Sequence, residues 1–409
     1  MTEIIKIEGG VTAAKGFKAS GIHCGLRKNK LKKDLALILC EKPCPTAGVF
    51  TKNKVFAAPV GITRANIANG YAQAIICNSG NANTCNSDGY DKANATCEEL
   101  ARELGIASND IIVASTGVIG VPLPLEPIIN GIPKLASELD STNEASESAA
   151  VAIMTTDTKK KEFAYSFELD GKEVHIGGIC KGSGMIQPNM ATMLGFITTD
   201  ASITPEMLQK ALSDVIQTTF NMVSVDGDTS TNDMVTVMAS GYAENTLIDC
   251  ANDNYTVFRN ALFEICRSLA RSIASDGEGA TKLLECKITG AHDTESARVL
   301  AKSVINSSLV KTAMYGADAN WGRILCALGY AGVDIDVDKI DVRFISKVGE
   351  IKVCENGKGY PFDEDLAKAI LLRKHITIAV DLKDGESEAI AWGCDLSYEY
   401  VRINGDYRS

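Results

Sequence analysis

The sequence predicts an α+β protein in which helices pack outside layers of strands. Three patterns carry this. Residues 163–179 alternate on either side of Asp170-Gly171, a two-residue turn signal for an antiparallel hairpin. Short apolar runs, Ala74 to Cys77 and Ile111 to Ala114, break into Asn, Ser, Thr and Gly, as buried strands do where a loop begins. Two stretches, Met207–Ile216 and Val257–Ile273, carry apolar residues at helical period.

In chain order, residues 46–60 (TAGVFTKNKVFAAPV) read as strand, polar turn and second strand. The run NSGNANTCNSDG at 78–89 marks a loop of unusual dihedrals, or an ordinary turn. Cys97–Leu104 reads as a helix closed by Gly105. The strand at 111–114 runs into Ser115-Thr116-Gly117, where a hydroxyl and a backbone N–H stand side by side. Such a pair can form an oxyanion hole, although most Thr-Gly pairs after strands are turns. Residues 134–154 look helical and lead to Thr155-Thr156-Asp157-Thr158 and a basic run, Lys159 to Lys161, read as a solvated face. Thr204 with Pro205 opens a helix whose stripe of Met207, Leu208, Ala211, Leu212, Val215 and Ile216 belongs to the core. The acidic loop NMVSVDGDTSTNDMV (221–235) fails as a calcium loop, since position six from Asp226 is Thr231 and position twelve is Val237. Asp276-Gly277-Glu278-Gly279 places a carboxylate on approachable backbone past a helix, or forms an exposed cap loop. A helix over 297–309 and a strand-rich end, 376–382 and 389–392, complete the chain.

Composition narrows the function classes. A chain of 409 residues can bury a large core, and its length suggests about two or three domains. A net charge of −11 without a basic cluster argues against nucleic acid as the main partner. Thirteen cysteines include no CxxC pair, and four histidines show no metal-ligand spacing, which argues against a zinc site or any other metal. The cysteines read as reduced and mostly buried, the pattern of a cytoplasmic protein. The start, MTEIIKIEGGVT, lacks the features of a signal peptide, and the longest uncharged run (111–125) holds two prolines and is too short to span a bilayer.

The chain is organised around residues 181–200, KGSGMIQPNMATMLGFITTD. A β-type run ends at Lys181-Gly182-Ser183-Gly184, a Pro188-Asn189 loop follows, and Ala191-Thr192 opens an apolar segment. A Thr hydroxyl needs a base before it becomes a nucleophile. A threonine at a new N-terminus carries one, because a free α-amine has a pKa of about 7.7–8.0. The same hydroxyl, held against the preceding carbonyl, could cut the Ala191–Thr192 bond by an N-to-O acyl shift. By pattern alone, Thr192 is also simply the first residue of a buried strand.

This stretch resembles the signature of the ornithine acetyltransferase family, the bifunctional glutamate N-acetyltransferases of cyclic arginine biosynthesis. Segments at 46–60, 78–89, 114–117, 221–235, 276–282, 316–324 and 397–409 match in order. The resemblance implies a layered α/β/β/α-type sandwich of the self-cleaving N-terminal-threonine acetyltransferase type. It implies cleavage into an α chain, 1–191, and a β chain, 192–409, assembled as an α2β2 heterotetramer. Thr192 is then nucleophile and new N-terminus, and Thr116 and Gly117 stabilise the oxyanion. Thr155, Lys181, Thr192, Glu278, Asn404 and Ser409 contact substrate. The implied substrates are N2-acetylornithine and L-glutamate, with no cofactor, no membrane partner, and acetyl-CoA as a further donor in bifunctional members. Two departures stand out: Gln187 where the family often has His, and Ser409 where Thr is common. Gln187 cannot act as a general base. Two other readings stay open: an N-terminal-nucleophile amidohydrolase or aminopeptidase, and a binding protein in which Thr192 is core.

Overall fold

The computed structural model describes residues 3–187 and 193–406. Its first sheet has nine strands: β1 (Ile5–Ile7), β2 (Phe17–Ile22), β3 (Leu35–Phe50), β4 (Tyr71–Asn81), β5 (Ile111–Val118), β6 (Lys161–Leu169), β7 (Lys172–Lys181), β8 (Leu194–Thr199) and β9 (Met234–Ala239). The order is β1-β6-β7-β8-β9-β3-β4-β5, with β2 beside β3. The long β3 joins two layers. Its first part pairs with β2 and β4, its register breaks between Leu39 and Cys44, and its last part pairs with β9. A bulge of this kind bends a strand and lets one chain segment serve two sheet layers.

Alternation along these strands builds a four-layer stack. Ile38, Ile75 and Ile112 point inward against Ile179, Leu194, Phe196 and Met238 on the facing layer. Their sequence neighbours Leu37, Ile76, Ile111 and Val113 face the other way, onto helices α2 (Gly89–Leu104) and α3 (Leu125–Ser137). Beneath the β6–β9 layer lie α5 (Pro205–Ile216) and α6 (Asp253–Ser275), reached after α1 (Ala58–Asn66) and α4 (Asn143–Ala152) earlier in the chain. The α/β/β/α arrangement is therefore present.

A second sheet follows: β10 (Leu283–Ala291), β11 (Asp341–Ser346), β12 (Gly349–Glu355), β13 (Lys358–Gly359), β14 (His375–Asp381) and β15 (Ser387–Cys394), in the order β13-β12-β11-β14-β10-β15. Helices α7 (Thr294–Asn306), α8 (Ser308–Tyr315), α9 (Trp321–Gly329) and α10 (Glu364–Leu371) belong to this part, and α11 (Tyr398–Asp406) closes the described chain. One apolar core runs from α5 and α6 into this second sheet.

Several expectations hold at residue level. The hairpin turns at Asp170 and Gly171, both with positive φ. Thr204 caps α5 by accepting from Met207 N–H, a contact that contributes about 1 kcal/mol in such helices. The predicted stripe of α5 is buried throughout. Other expectations fail. Residues 55–60 do not form a second strand: Pro59 sits in the first turn of α1, where a missing N–H costs nothing. The helix expected over 134–154 is two helices, because Thr142 caps a new one by accepting from Ala145 N–H.

Candidate active site

The backbone on both sides of the central loop is fixed by sheet pairing. Lys181, the last residue of β7, pairs with Leu194 of β8, and Leu194 pairs with Met234 of β9. The Met193 carbonyl accepts from Met234 N–H at 2.9 Å. Before the loop, Ile186 bridges to Thr229, whose hydroxyl donates to the Gln187 carbonyl at 2.9 Å. Position 187 is thus held through its main chain, whichever side chain it carries. Ala191 and Thr192, the expected cleavage pair, lie outside the described residues, as does Ser409.

Between these anchors is a small cleft lined by Thr116, Lys181, Gly184, Met193, Asn232 and Asp233 among others. Thr116 and Lys181, singled out from sequence on different strands, therefore line one cleft with Met193, the residue that follows Thr192. Thr116 reaches the cleft because β5 runs parallel to β4 with Ser79 opposite Thr116 and Gly80 opposite Gly117. Gly117 has φ +136°, and a Cβ there would lie 2.3 Å from the Gly80 carbonyl carbon. Only glycine lets the two backbones approach so closely.

Asn232, within the acidic loop at 221–235, ties this strand end in place. Its amide donates to the Ala82 carbonyl at 2.6 Å and the Ser115 carbonyl at 2.8 Å, and its oxygen accepts from Thr84 at 2.8 Å. Asp226 of the same segment is also a scaffold: its carboxylate accepts from Met185 and Ile186 N–H at 2.7 and 2.8 Å.

Glu278 and Asn404 come together at the rim. Glu278 N–H donates to the Ser183 carbonyl at 2.8 Å, and the Asn404 amide donates to Glu278 Oε2 at 2.8 Å. The helix carrying Asn404 is docked by Tyr400, whose hydroxyl donates to Asp226 at 3.3 Å, and by Ser397, which donates to the Gly279 carbonyl at 2.6 Å. Burial, then the neighbouring Asp226 carboxylate, push the Tyr400 phenol well above its ordinary value, so it stays a donor.

Thr155 does not line the cleft. It lies behind it: Thr155 N–H donates to Asp157 at 2.9 Å, while Thr156 shares a hydrogen bond with Ser183 at 2.7 Å. The basic run beside it is not a solvated face throughout. Lys159 and Lys160 are exposed, but Lys161 is 1% exposed and its ammonium lies 2.6 Å from both Asp157 and Asp276. Sequence reasoning missed this pairing. Its only local signal is the carboxylate four residues before the lysine, which means little outside a helix.

Among the described residues no group of three or more His, Cys, Asp or Glu could hold a metal ion, and all thirteen cysteines are free thiols. Most are buried. No helix of the described residues is long and apolar enough to cross a membrane. A larger cavity between α6 and β15 shares no residue with the cleft, and each of its arginines stands beside a glutamate: Arg267 with Glu264, Arg271 with Glu285, Arg298 with Glu295.

Residues 18–409 match the ArgJ family. The chain belongs to that family. It is 50% identical over 404 residues to the arginine biosynthesis bifunctional protein ArgJ of Caldanaerobacter subterraneus, covering 98% of this chain and 99% of that one. The ArgJ of Bacillus subtilis is 44% identical and covers 100% of this chain and 98% of its own. A crystal structure of ArgJ from Bacillus halodurans is 48% identical with a TM-score of 0.50, covering 52% of this chain and 98% of that chain. ArgJ membership agrees with the ordered motifs read from the sequence.

Proposed function

We propose that this ArgJ protein is a glutamate N-acetyltransferase of arginine biosynthesis, moving the acetyl group of N2-acetylornithine to L-glutamate through an acetyl-Thr192 intermediate. The observation that carries this reading is the cleft that brings Thr116 and Lys181 to Met193.

Maturation comes first. The Thr192 hydroxyl attacks the Ala191 carbonyl, the peptide becomes an ester, and water hydrolyses it to an Ala191 carboxylate and a Thr192 amine. The half-length Bacillus halodurans ArgJ chain supports such a division. In turnover the Thr192 amine takes the hydroxyl proton as the oxygen attacks the acetyl carbonyl. Thr116 Oγ and Gly117 N–H receive the developing oxyanion. The bond to the ornithine nitrogen then breaks, and the proton passes to that nitrogen as ornithine leaves. Glutamate's amine attacks the ester in the second half, releasing N-acetylglutamate and restoring Thr192. No cofactor is required, since the threonine stores the acetyl group. Lys181 pairs with the substrate α-carboxylate and Glu278 with the ornithine ammonium, with Asn404 and Ser409 completing the pocket and Thr155 supporting it from behind through Asp157. Acetyl-CoA serves as a second donor, and the fragments assemble as α2β2 in the cytoplasm.

The test is the N-terminal residue of the smaller fragment together with product analysis. A Thr192 start and glutamate-dependent ornithine release support the reading. Acetate release that ignores glutamate favours a hydrolase, and an uncut 43.5 kDa band would reject self-cleavage.

A further inference from the structure

Lys161 is a fully buried charge close behind the cleft. Its side chain and that of Asp157 are 0% exposed, and that of Asp276 is 4% exposed. The ammonium lies 2.6 Å from Asp157 Oδ1 and 2.6 Å from Asp276 Oδ2. Each carboxylate has further duties. Asp157 accepts from Gly182 N–H at 2.7 Å and Thr155 N–H at 2.9 Å. Asp276 accepts from Thr158 N–H at 3.1 Å and from the Thr158 hydroxyl.

These contacts fall on two substrate-facing loops. Gly182 is bonded directly to Lys181, and Asp276 stands two residues before Glu278. The loops are also tied to each other by Glu278 N–H on the Ser183 carbonyl at 2.8 Å. We infer that the Asp157–Lys161–Asp276 triad is a positioning device that sets the separation between Lys181 and Glu278, and so selects a substrate with a carboxylate and a terminal ammonium. This rests on the roles given to those two residues under Proposed function.

Such a triad contributes to positioning more than to bulk stability. A buried ion triad is seldom more stabilising than an apolar cluster of the same size, because desolvation offsets most of the attraction. Its directional, charge-assisted hydrogen bonds do fix geometry. Burial opposes ionisation of Asp157, yet Lys181, Lys161 and the Gly182 N–H hold its carboxyl well below the usual range. It therefore keeps its charge, and its grip on Gly182, at every working pH.

The experiment compares N2-acetylornithine with N2-acetylnorvaline, which has the same carbon chain and no ammonium, as donors to glutamate in the self-cleaved enzyme. Wild type prefers the charged donor in kcat/KM. In Asp157→Asn and Asp276→Asn that preference falls roughly tenfold, the factor that corresponds to about 1.4 kcal/mol. It falls through the KM of acetylornithine, while kcat at saturation changes less. Lys160→Met, at an exposed neighbour, leaves the preference intact. If neither carboxamide variant accumulates, Thr158→Val removes one hydroxyl from Asp276 and lowers the preference by a smaller factor. A lower thermal midpoint with an unchanged preference would make the triad merely structural and overturn the inference. Wild type showing no preference would instead overturn the charge assignment of Lys181 and Glu278, and the triad's role with it.

Discussion

The carboxylate of Glu278 lies against Gly184: a Cβ at that glycine would stand 2.3 Å from Glu278 Oε2. The obstacle is the end of a flexible side chain, and Gly184 is not among the glycines of positive φ. Gly184→Ala is therefore expected to fold with a nearly unchanged thermal midpoint. Glu278 must swing away and give up the Asn404 contact. Steady-state kinetics should show a raised KM for N2-acetylornithine, by roughly tenfold if about 1.4 kcal/mol of binding is lost.

Gly117 presents the opposite case. Its added Cβ meets backbone, 2.3 Å from the Gly80 carbon and 2.5 Å from the Asn81 nitrogen. Gly117→Ala must separate β4 from β5, so stability and turnover should fall together in thermal melts and rate assays. Thr116→Ala removes the hydroxyl and one methyl group and leaves both backbones where they are. It should keep the melting temperature and lose about 10²- to 10³-fold in kcat, as removal of one oxyanion donor does.

Thr192→Ala tests the nucleophile. The variant should run as one uncut band of 43.5 kDa and transfer no acetyl group. A cut or active variant, judged by denaturing gel and product analysis, would remove Thr192 from its role.

One histidine should write itself into the pH dependence of stability. His175 Nδ1 lies 3.2 Å from Asp200, whose hydrogen bond holds the imidazole pKa above its ordinary 6.5. The proton is bound more tightly in the folded state. The resulting stability is fully present below 6.5 and is lost as pH rises through the higher folded value. Melting temperatures measured across that window should decline in wild type relative to His175→Gln, and the two curves should run parallel above it.

Local chemistry was legible where a few neighbouring residues decide the outcome. Asp170-Gly171 announces its hairpin because only certain residues accept positive φ, and Thr204-Pro205 announces α5 because caps are made within one turn. The motifs that place Thr116, Lys181 and Glu278 were also readable as resemblances. What escaped depends on partners far along the chain. Lys161 reads as solvated because its second carboxylate, Asp276, is 115 residues away. Asn232 gives no hint that it will bridge Ala82 and Ser115, whose carbonyls lie 150 and 117 residues earlier. Likewise the second strand expected at the end of 46–60 was plausible by composition, whereas Pro59 takes a place in the first turn of α1 that suits proline.

The strand order of the first sheet carries a consequence for the severed protein. Reading across it, β1, β6 and β7 precede residue 192, β8 and β9 follow it, and β3, β4 and β5 precede it again. The later piece is thus woven between two parts of the earlier one, so neither half holds the first sheet complete, although the second sheet lies wholly in the later piece. A nick there leaves the body whole. After full denaturation, however, an intramolecular search would become a meeting of two molecules, with a concentration-dependent entropy that the intact precursor never faces. Self-scission would make folding a one-way passage.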